Sequence, residues 1–341
     1  EVDMRKLLMN VVLLSILFFL KISVSSDKNI KSSPVRAFHF VLRAVPLDKA
    51  YWMIDEAKKA GFNTIVVQIT DGVKLENSPW TPRKDAWTKE EFKTWIEYTK
   101  NKSMHIVPEF QFLTHQEKFF QGNYPEYMYN SKTYDPRKEE VYKKVFLLID
   151  EVIKIINPKA IHIGHDEVAG FSKEAKWLKP GEEVLPAKLF YEDIMRLYNY
   201  LKNKGLDTWI WGDMLISPDE FPELPETFKR SCHGNLSGYG KEIREKLPKE
   251  IVICDWHYKN EQEEFPSLTV FQGEGFRVIG TTWVEENVIK NFSKYASKHK
   301  AYGMMATTWW HVQKRQWDIV QKIIEISGKT FLKDFPDAGE E

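Results

Sequence analysis

The sequence predicts a single-domain α/β fold, a (β/α)₈ TIM barrel. Three observations carry that prediction. Eight short β-rich apolar runs recur along the chain, and amphipathic helical stretches lie between them. Such alternation implies a parallel sheet, and eight is the number of strands that closes one. The 341 residues have room for one such barrel, which typically takes about 250 residues. Finally, no glycine-rich phosphate loop follows any run, which counts against an open, doubly wound sheet. The loop Gly234-Asn235-Leu236-Ser237-Gly238 lacks the strand–turn–helix setting that a phosphate loop requires.

The expected strands are Val35–Leu42, Thr64–Thr70, His105–Phe110, Ala160–Gly164, Thr208–Gly212, Glu250–Asp255, Arg277–Thr281 and Gly303–Thr307. Helical periodicity covers Asp48–Ala60, Thr88–Lys102, Lys138–Ile156 and Ala187–Lys204. Gly61 and Gly205 stand where glycine ends a helix, and Tyr134-Asp135-Pro136 sits where the third long helix starts. There is no low-complexity linker and no repeat beyond the βα rhythm, so residues 27–341 read as one barrel domain.

Ahead of it, Met4-Arg5-Lys6, the apolar run Leu7–Leu20 and the small residues Ser23-Val24-Ser25-Ser26 form the three parts of a secretory signal peptide, assigned to residues 4–26. The apolar run is shorter than the ~20 residues of a spanning helix, so cleavage and a secreted product are expected, with an uncleaved anchor as the alternative. Equal numbers of Lys+Arg and Asp+Glu, 49 each, offer no basic surface for nucleic acid or anionic membranes. Cys232 and Cys254 make no disulfide scaffold; free buried thiols are expected, with pairing as the alternative. Oligomeric state leaves no mark in the sequence.

In a barrel of this kind the active site lies at the C-terminal ends of the strands. The residues there are Asp71, then Glu109 and His115, then His165-Asp166-Glu167, Trp211-Gly212-Asp213, Asp255-Trp256-His257-Tyr258, Trp283-Val284-Glu285 and Trp309-Trp310-His311. Polar strand ends are common, but Trp at four of them, in a ring of ends that also carries carboxylates, suits sugars, whose C–H faces stack on flat rings. Asp166 and Glu167 form the centre. Side chains alternate along a strand, so adjacent carboxyls diverge unless the chain turns there. A carboxyl in an apolar, Trp-lined pocket has its pKa raised and can act as a general acid. His162 and His165, three apart on a strand, face opposite sides, so no metal site is expected.

These residues resemble glycoside hydrolase family 20, the β-N-acetylhexosaminidases. Ile161-His162-Ile163-Gly164-His165-Asp166-Glu167 is similar to the family's H-x-G-G-D-E signature. Ile69-Thr70-Asp71 resembles its L-T-D, Pro108–His115 its P-E-[IF]-D-x-P-G-H, Trp211-Gly212-Asp213 its W-x-[DE], and Arg36 its first-strand sugar-holding Arg. The likeness runs from about Val35 to the last helix. It implies a retaining exo-glycosidase acting on terminal β-linked GlcNAc or GalNAc, in which the substrate's 2-acetamido oxygen attacks the anomeric carbon. Glu167 would be the acid/base, Asp166 would orient the acetamide, and Asp71 with His115 would form a relay behind Glu167. Tyr258 would donate to the acetamide oxygen, and Arg36, Trp211, Asp213, Trp256, Trp283, Glu285 and Trp309 would complete the sugar site. A glycan is the implied partner; no metal or organic cofactor is implied.

The sequence also departs from the family pattern. His165 replaces the second signature Gly, which would put an imidazole beside the acid pair; Gln111 replaces an Asp, Leu113-Thr114 a Pro-Gly, and Ala37 a Gly. Tyr258 follows the sixth strand where the family's Tyr follows the seventh, and Trp283-x-Glu285 sits one strand early. No stretch resembles the small α/β domain that often precedes the family's barrel, so a divergent, barrel-only member is expected. Two alternatives remain: a glycan-binding barrel without activity, against which the set Asp71, His115, Asp166 and Glu167 argues, and a hydrolase of different sugar specificity.

Overall fold

Eight strands form where the apolar runs lie: β1 Val35–Leu42, β2 Thr64–Ile69, β3 His105–Phe112, β4 Ala160–Gly164, β5 Asp207–Trp211, β6 Val252–Trp256, β7 Arg277–Thr282 and β8 Gly303–Thr307. The computed structural model describes residues 33–168 and 178–337. The expected signal peptide, residues 4–26, lies outside the described residues. The strands are all parallel and pair in sequence order, and β8 returns to β1 with Ala37 opposite Met305 to close the barrel. The helices are α1 Leu47–Lys59, α2 Lys89–Asn101, α3 Glu139–Ile156, α4 Ala187–Lys202, α5 Glu226–Lys229, α6 Lys241–Arg244, α7 Pro266–Gly273, α8 Glu286–Lys298, α9 Trp310–Gln313 and α10 Trp317–Asp334.

Strand alternation sorts the side chains into two cores. Phe38, Phe40, Ile65, Val67, Ile161 and Ile163 point outward and pack with the helices. Ala37, Val66, Val107, Trp209, Val252, Ile279 and Met305 point inward and fill the barrel. Both faces are therefore buried, which is why most of the strands read as continuous apolar runs. Closure is tight: a Cβ on Gly303 would sit 2.0 Å from the carbonyl oxygen of Val35, so β8 can lie against β1 here only as glycine. Helix α2 starts at a capping box between Thr88 and Glu91, as a Thr three residues before a Glu favours.

Strand β3 runs two residues beyond its expected end, and its register with β4 shifts between Glu109 and Phe112. Such a bulge re-aims side chains at a sheet rim, and Gln111 stands within it. Cys232 and Cys254 are both buried and unpaired. Among the described residues no helix is long and apolar enough to cross a membrane.

Candidate active site

The C-terminal ends of the strands surround a cavity of about 560 Å³. Asp166, Glu167 and His115 line one side, and Trp256, Tyr258, Trp283 and Trp309 another. The carboxylates reach it because β4 ends in a sharp turn. Gly164, His165 and Glu167 have φ of 77°, 73° and 49°, all left-handed. Gly164 is required twice over: its φ is positive, and a Cβ there would lie 2.8 Å from the Phe110 carbonyl oxygen. The turn defeats strand alternation, so two adjacent carboxylates converge. Nε2 of His115 lies 3.4 Å from Asp166 Oδ2 and 3.5 Å from Glu167 Oε2.

Charge and burial set the chemistry of this trio. Burial, together with the charges of Asp166 and Asp213, pushes the Glu167 carboxyl above its usual range against the pull of His115. Burial opposes charge on His115, but Asp166 and Glu167 outweigh it and hold the imidazole well above its ordinary value. Among the described residues, Oδ1 of Asp166 is buried with no hydrogen-bond partner, as is Oε1 of Gln111. Each is an acceptor for a group that enters the cavity. The three side chains bring possible ligand atoms within 4.8 Å of one another, and among the described residues they are the one such cluster that could hold a metal ion.

The rings of the aromatic wall pack on one another. Trp256 stacks on Tyr258 with centroids 4.8 Å apart, and Tyr258 meets Trp283 and Trp309 at 5.7 Å and 6.4 Å. Burial raises the Tyr258 phenol well above its ordinary pKa although Trp309 and Thr307 lie against it. A phenol so raised stays a hydrogen-bond donor.

Other expected site residues lie elsewhere. Arg36 is at the opposite end of the barrel. It sits near the start of β1, and its guanidinium is held by the Gly61 carbonyl at 2.7 Å, the Phe335 carbonyl at 2.8 Å and Asp337 at 2.9 Å. The first-strand arginine that does line the cavity is Arg43, just past the end of β1. Its Nε donates to Asp71 Oδ1 at 2.9 Å, so Asp71 is placed against Arg43 while His115 Nε2 faces the Asp166–Glu167 pair. Strand position was the available signal: seven residues along a strand separate the bottom of a barrel from its mouth.

Trp211 is not a wall of the cavity. It is fully buried in the barrel below it, donates to Glu109 Oε1 at 3.2 Å and packs against His162 at 4.3 Å. Glu109 also accepts from Gln68 at 2.9 Å and lies 2.6 Å from His39 Nε2. Burial opposes its charge, yet His39 and His162 bring its pKa down to about 2. His162 is interior as expected, pushed down to about 4 by burial. Asp213 is likewise beneath the surface. It accepts from the Glu167 backbone N–H at 2.9 Å, His233 Nδ1 at 2.8 Å and Trp256 Nε1 at 3.3 Å, so it fixes Glu167 and does not line the cavity. Glu285 turns outward to Lys259, being set at the start of α8 and away from the cavity lining. His165 is not beside the acid pair either; its ring points out of the barrel to Asp193 on α4. Trp310, expected at the end of the eighth strand, lines the cavity, as do Arg43, Gln68, Gln111, Glu117 and Gln313, which sequence reasoning did not assign to it.

Residues 66–323 match the catalytic domain of glycosyl hydrolase family 20. No curated protein matches the chain. Among solved structures it is similar to a β-N-acetylhexosaminidase of Bacteroides fragilis NCTC 9343, with TM-score 0.63 and 17% identity over 88% of this chain and 66% of that one. A chitobiase of Flavobacterium johnsoniae superposes with TM-score 0.62 and 17% identity, over 89% of this chain and 50% of that one. Dispersin B matches with TM-score 0.58 and 14% identity, over 89% of this chain and 99% of its own. The chain thus spans about two thirds of the first relative and half of the second. At these identities the likeness is one of fold.

Proposed function

This chain belongs to glycosyl hydrolase family 20, and from that premise we propose that it is a retaining exo-β-N-acetylhexosaminidase using substrate-assisted catalysis. The observation that carries the reading is the convergence of Asp166 and Glu167 on His115 beside an aromatic wall. Glu167, held above the usual carboxyl range, protonates the leaving oxygen and then takes a proton from water. The 2-acetamido oxygen of the substrate attacks the anomeric carbon as the glycosidic bond breaks, giving an oxazolinium ion. The unpartnered Oδ1 of Asp166 accepts the acetamide N–H and its charge balances the cation. Tyr258 donates to the acetamide oxygen. Arg43, whose Nε is the group that donates to Asp71 among the described residues, presents its other N–H groups to sugar hydroxyls. The Trp faces cover the pyranose. The chain works on glycans outside the cytoplasm, in keeping with its N-terminal signal pattern.

The test is a screen of aryl glycosides with and without a 2-acetamido group, together with a thiazoline mimic of the oxazolinium. Turnover restricted to acetamido sugars and strong thiazoline inhibition are expected. Asp166→Asn is expected to lose most turnover and to weaken thiazoline binding. Indifference to the acetamido group, or a covalent glycosyl adduct trapped by a fluorosugar, overturns the mechanism. A metal-dependent hydrolysis is the second reading, favoured by the spacing of His115, Asp166 and Glu167. Loss of activity on dialysis against a chelator, restored by a divalent ion, would select it.

A further inference from the structure

We propose that His165 and Asp193 are positioning residues that hold the Asp166–Glu167 turn from outside the barrel. The inference rests on the reading of that pair given above. His165 occupies a position that favours glycine, since its φ is 73° and its neighbours Gly164 and Glu167 are also left-handed. A side chain in such backbone persists when its surroundings over-determine it. Here both ring nitrogens are engaged. Nδ1 lies 2.9 Å from the Ile163 carbonyl oxygen and Nε2 lies 2.8 Å from Asp193 Oδ2. Both partners are oxygen acceptors, so the ring is fixed in orientation as well as position. Asp193 is fixed in its turn. Its carboxylate accepts from the hydroxyls of Tyr134, at 3.0 Å, and of Tyr142. His165, Asp193 and Tyr134 have no solvent exposure, and the Phe190 ring packs on the imidazole at 5.6 Å.

The geometry gives the turn two clamps. On one side His165 is tied to α4 through Asp193. On the other, the Glu167 N–H is tied to Asp213 at 2.9 Å. Asp166 hangs between them. A glycine at 165 would leave the same backbone free on the first side, and Asp193 would keep its tyrosine donors without the imidazole. The clamp is a built network of fully buried polar groups, in which each member has its partner. Its effect on the reaction is through the placement of Asp166 and Glu167, since neither His165 nor Asp193 lines the cavity.

The experiment uses the full chain with His165→Gly and, so that the test does not hang on the folding of one variant, Asp193→Asn as well. Circular dichroism and thermal melting check the fold. Three quantities are then compared with the wild type: turnover of an unactivated 2-acetamido disaccharide, turnover of a dinitrophenyl 2-acetamido glycoside, and the inhibition constant of the thiazoline. Misplacement by about 1 Å lowers rate on the order of 10²-fold. A loss of that size is expected on the disaccharide, with KM little changed. The loss on the dinitrophenyl substrate should be smaller, because its leaving group needs no proton. Thiazoline affinity should fall too, since Asp166 is displaced. A purely structural role would reduce the folded fraction, lower both turnovers by the same factor and leave the inhibition constant unchanged. That pattern, or full activity in a folded variant, overturns the proposal. Wild-type protein inactive on both substrates would instead overturn the reading of the site on which it rests.

Discussion

Replacing His115 with Asn tests the electrostatics of the acid pair most directly. In the wild type an imidazolium Nε2 lies 3.5 Å from Glu167 Oε2 and opposes the rise that burial and Asp166 impose on that carboxyl. Coulomb's law at that distance gives about 1.2 kcal/mol for a dielectric constant of 80 and about 4.7 kcal/mol for 20. The sign is definite: without the cation the protonated form of Glu167 is favoured and its pKa rises. A general acid works when protonated, so the alkaline limb of the kcat/KM profile should move to higher pH. In the wild type that limb belongs to the coupled His115–carboxylate group as a whole; in the variant it belongs to the carboxylates alone. The height of the profile should fall, because Asp166 also loses its partner at 3.4 Å. The assay is kcat/KM for an aryl 2-acetamido glycoside from acid to alkaline pH. A limb that stays in place or moves to lower pH refutes the assignment of Glu167 as an acid held in check by His115.

Glu167→Gln should lower turnover of unactivated glycosides by about 10²- to 10⁴-fold and affect the first step with an activated aryl substrate less; comparing the two substrates in steady-state and burst kinetics checks this. Arg43→Ala should raise KM or lower kcat/KM with little effect on the melting temperature, whereas Arg36→Ala should lower the melting temperature and leave kcat/KM of the folded protein unchanged, since Arg36 ties β1 to residues 61, 335 and 337 at the other end. Glu109→Gln replaces a fully buried carboxylate that accepts from Gln68 and Trp211 and lies 2.6 Å from His39 Nε2, and should destabilise the fold near neutral pH by leaving buried polar groups poorly partnered. Because the Glu109 pKa is depressed from 4.5 to about 2, its contribution is present above the ordinary value and lost as pH falls through that window; denaturant unfolding at pH 7 and near pH 2 should show the deficit shrink in acid.

Much of the fold was readable in the sequence for a local reason. The strands are buried on both faces, so they appear as mostly apolar runs, and the runs of β1, β4 and β8 coincide with the strands to the residue. Helix ends follow from caps that are also local, such as Thr88 with Glu91. The aromatic wall of Trp256, Tyr258, Trp283 and Trp309 could likewise be placed, because a residue just past a barrel strand must emerge at the mouth.

Direction was harder to read than position. Both Arg36 and Arg43 belong to the first strand region, and only the strand's polarity and length put one at the base and the other at the cavity. Trp211 and Asp213 stand at a strand end as expected, yet the barrel turns both below the surface, where Glu109 and the Glu167 backbone take up their polar groups. Glu285 follows its strand too, but the start of α8 carries it out to Lys259.

By itself, then, the sequence determined the (β/α)₈ architecture, the order of the strands and the chemical types gathered at their ends, because hydrophobic periodicity and caps act between near neighbours. The tertiary structure decided which of those groups meet. Asp166 and Glu167 converge because three left-handed residues reverse the strand's alternation, and His165 turns away because Asp193, 28 residues on, waits for it in a buried site. Positive φ and long-range hydrogen bonds depend on atoms distant in the chain, and no short window of sequence contains them.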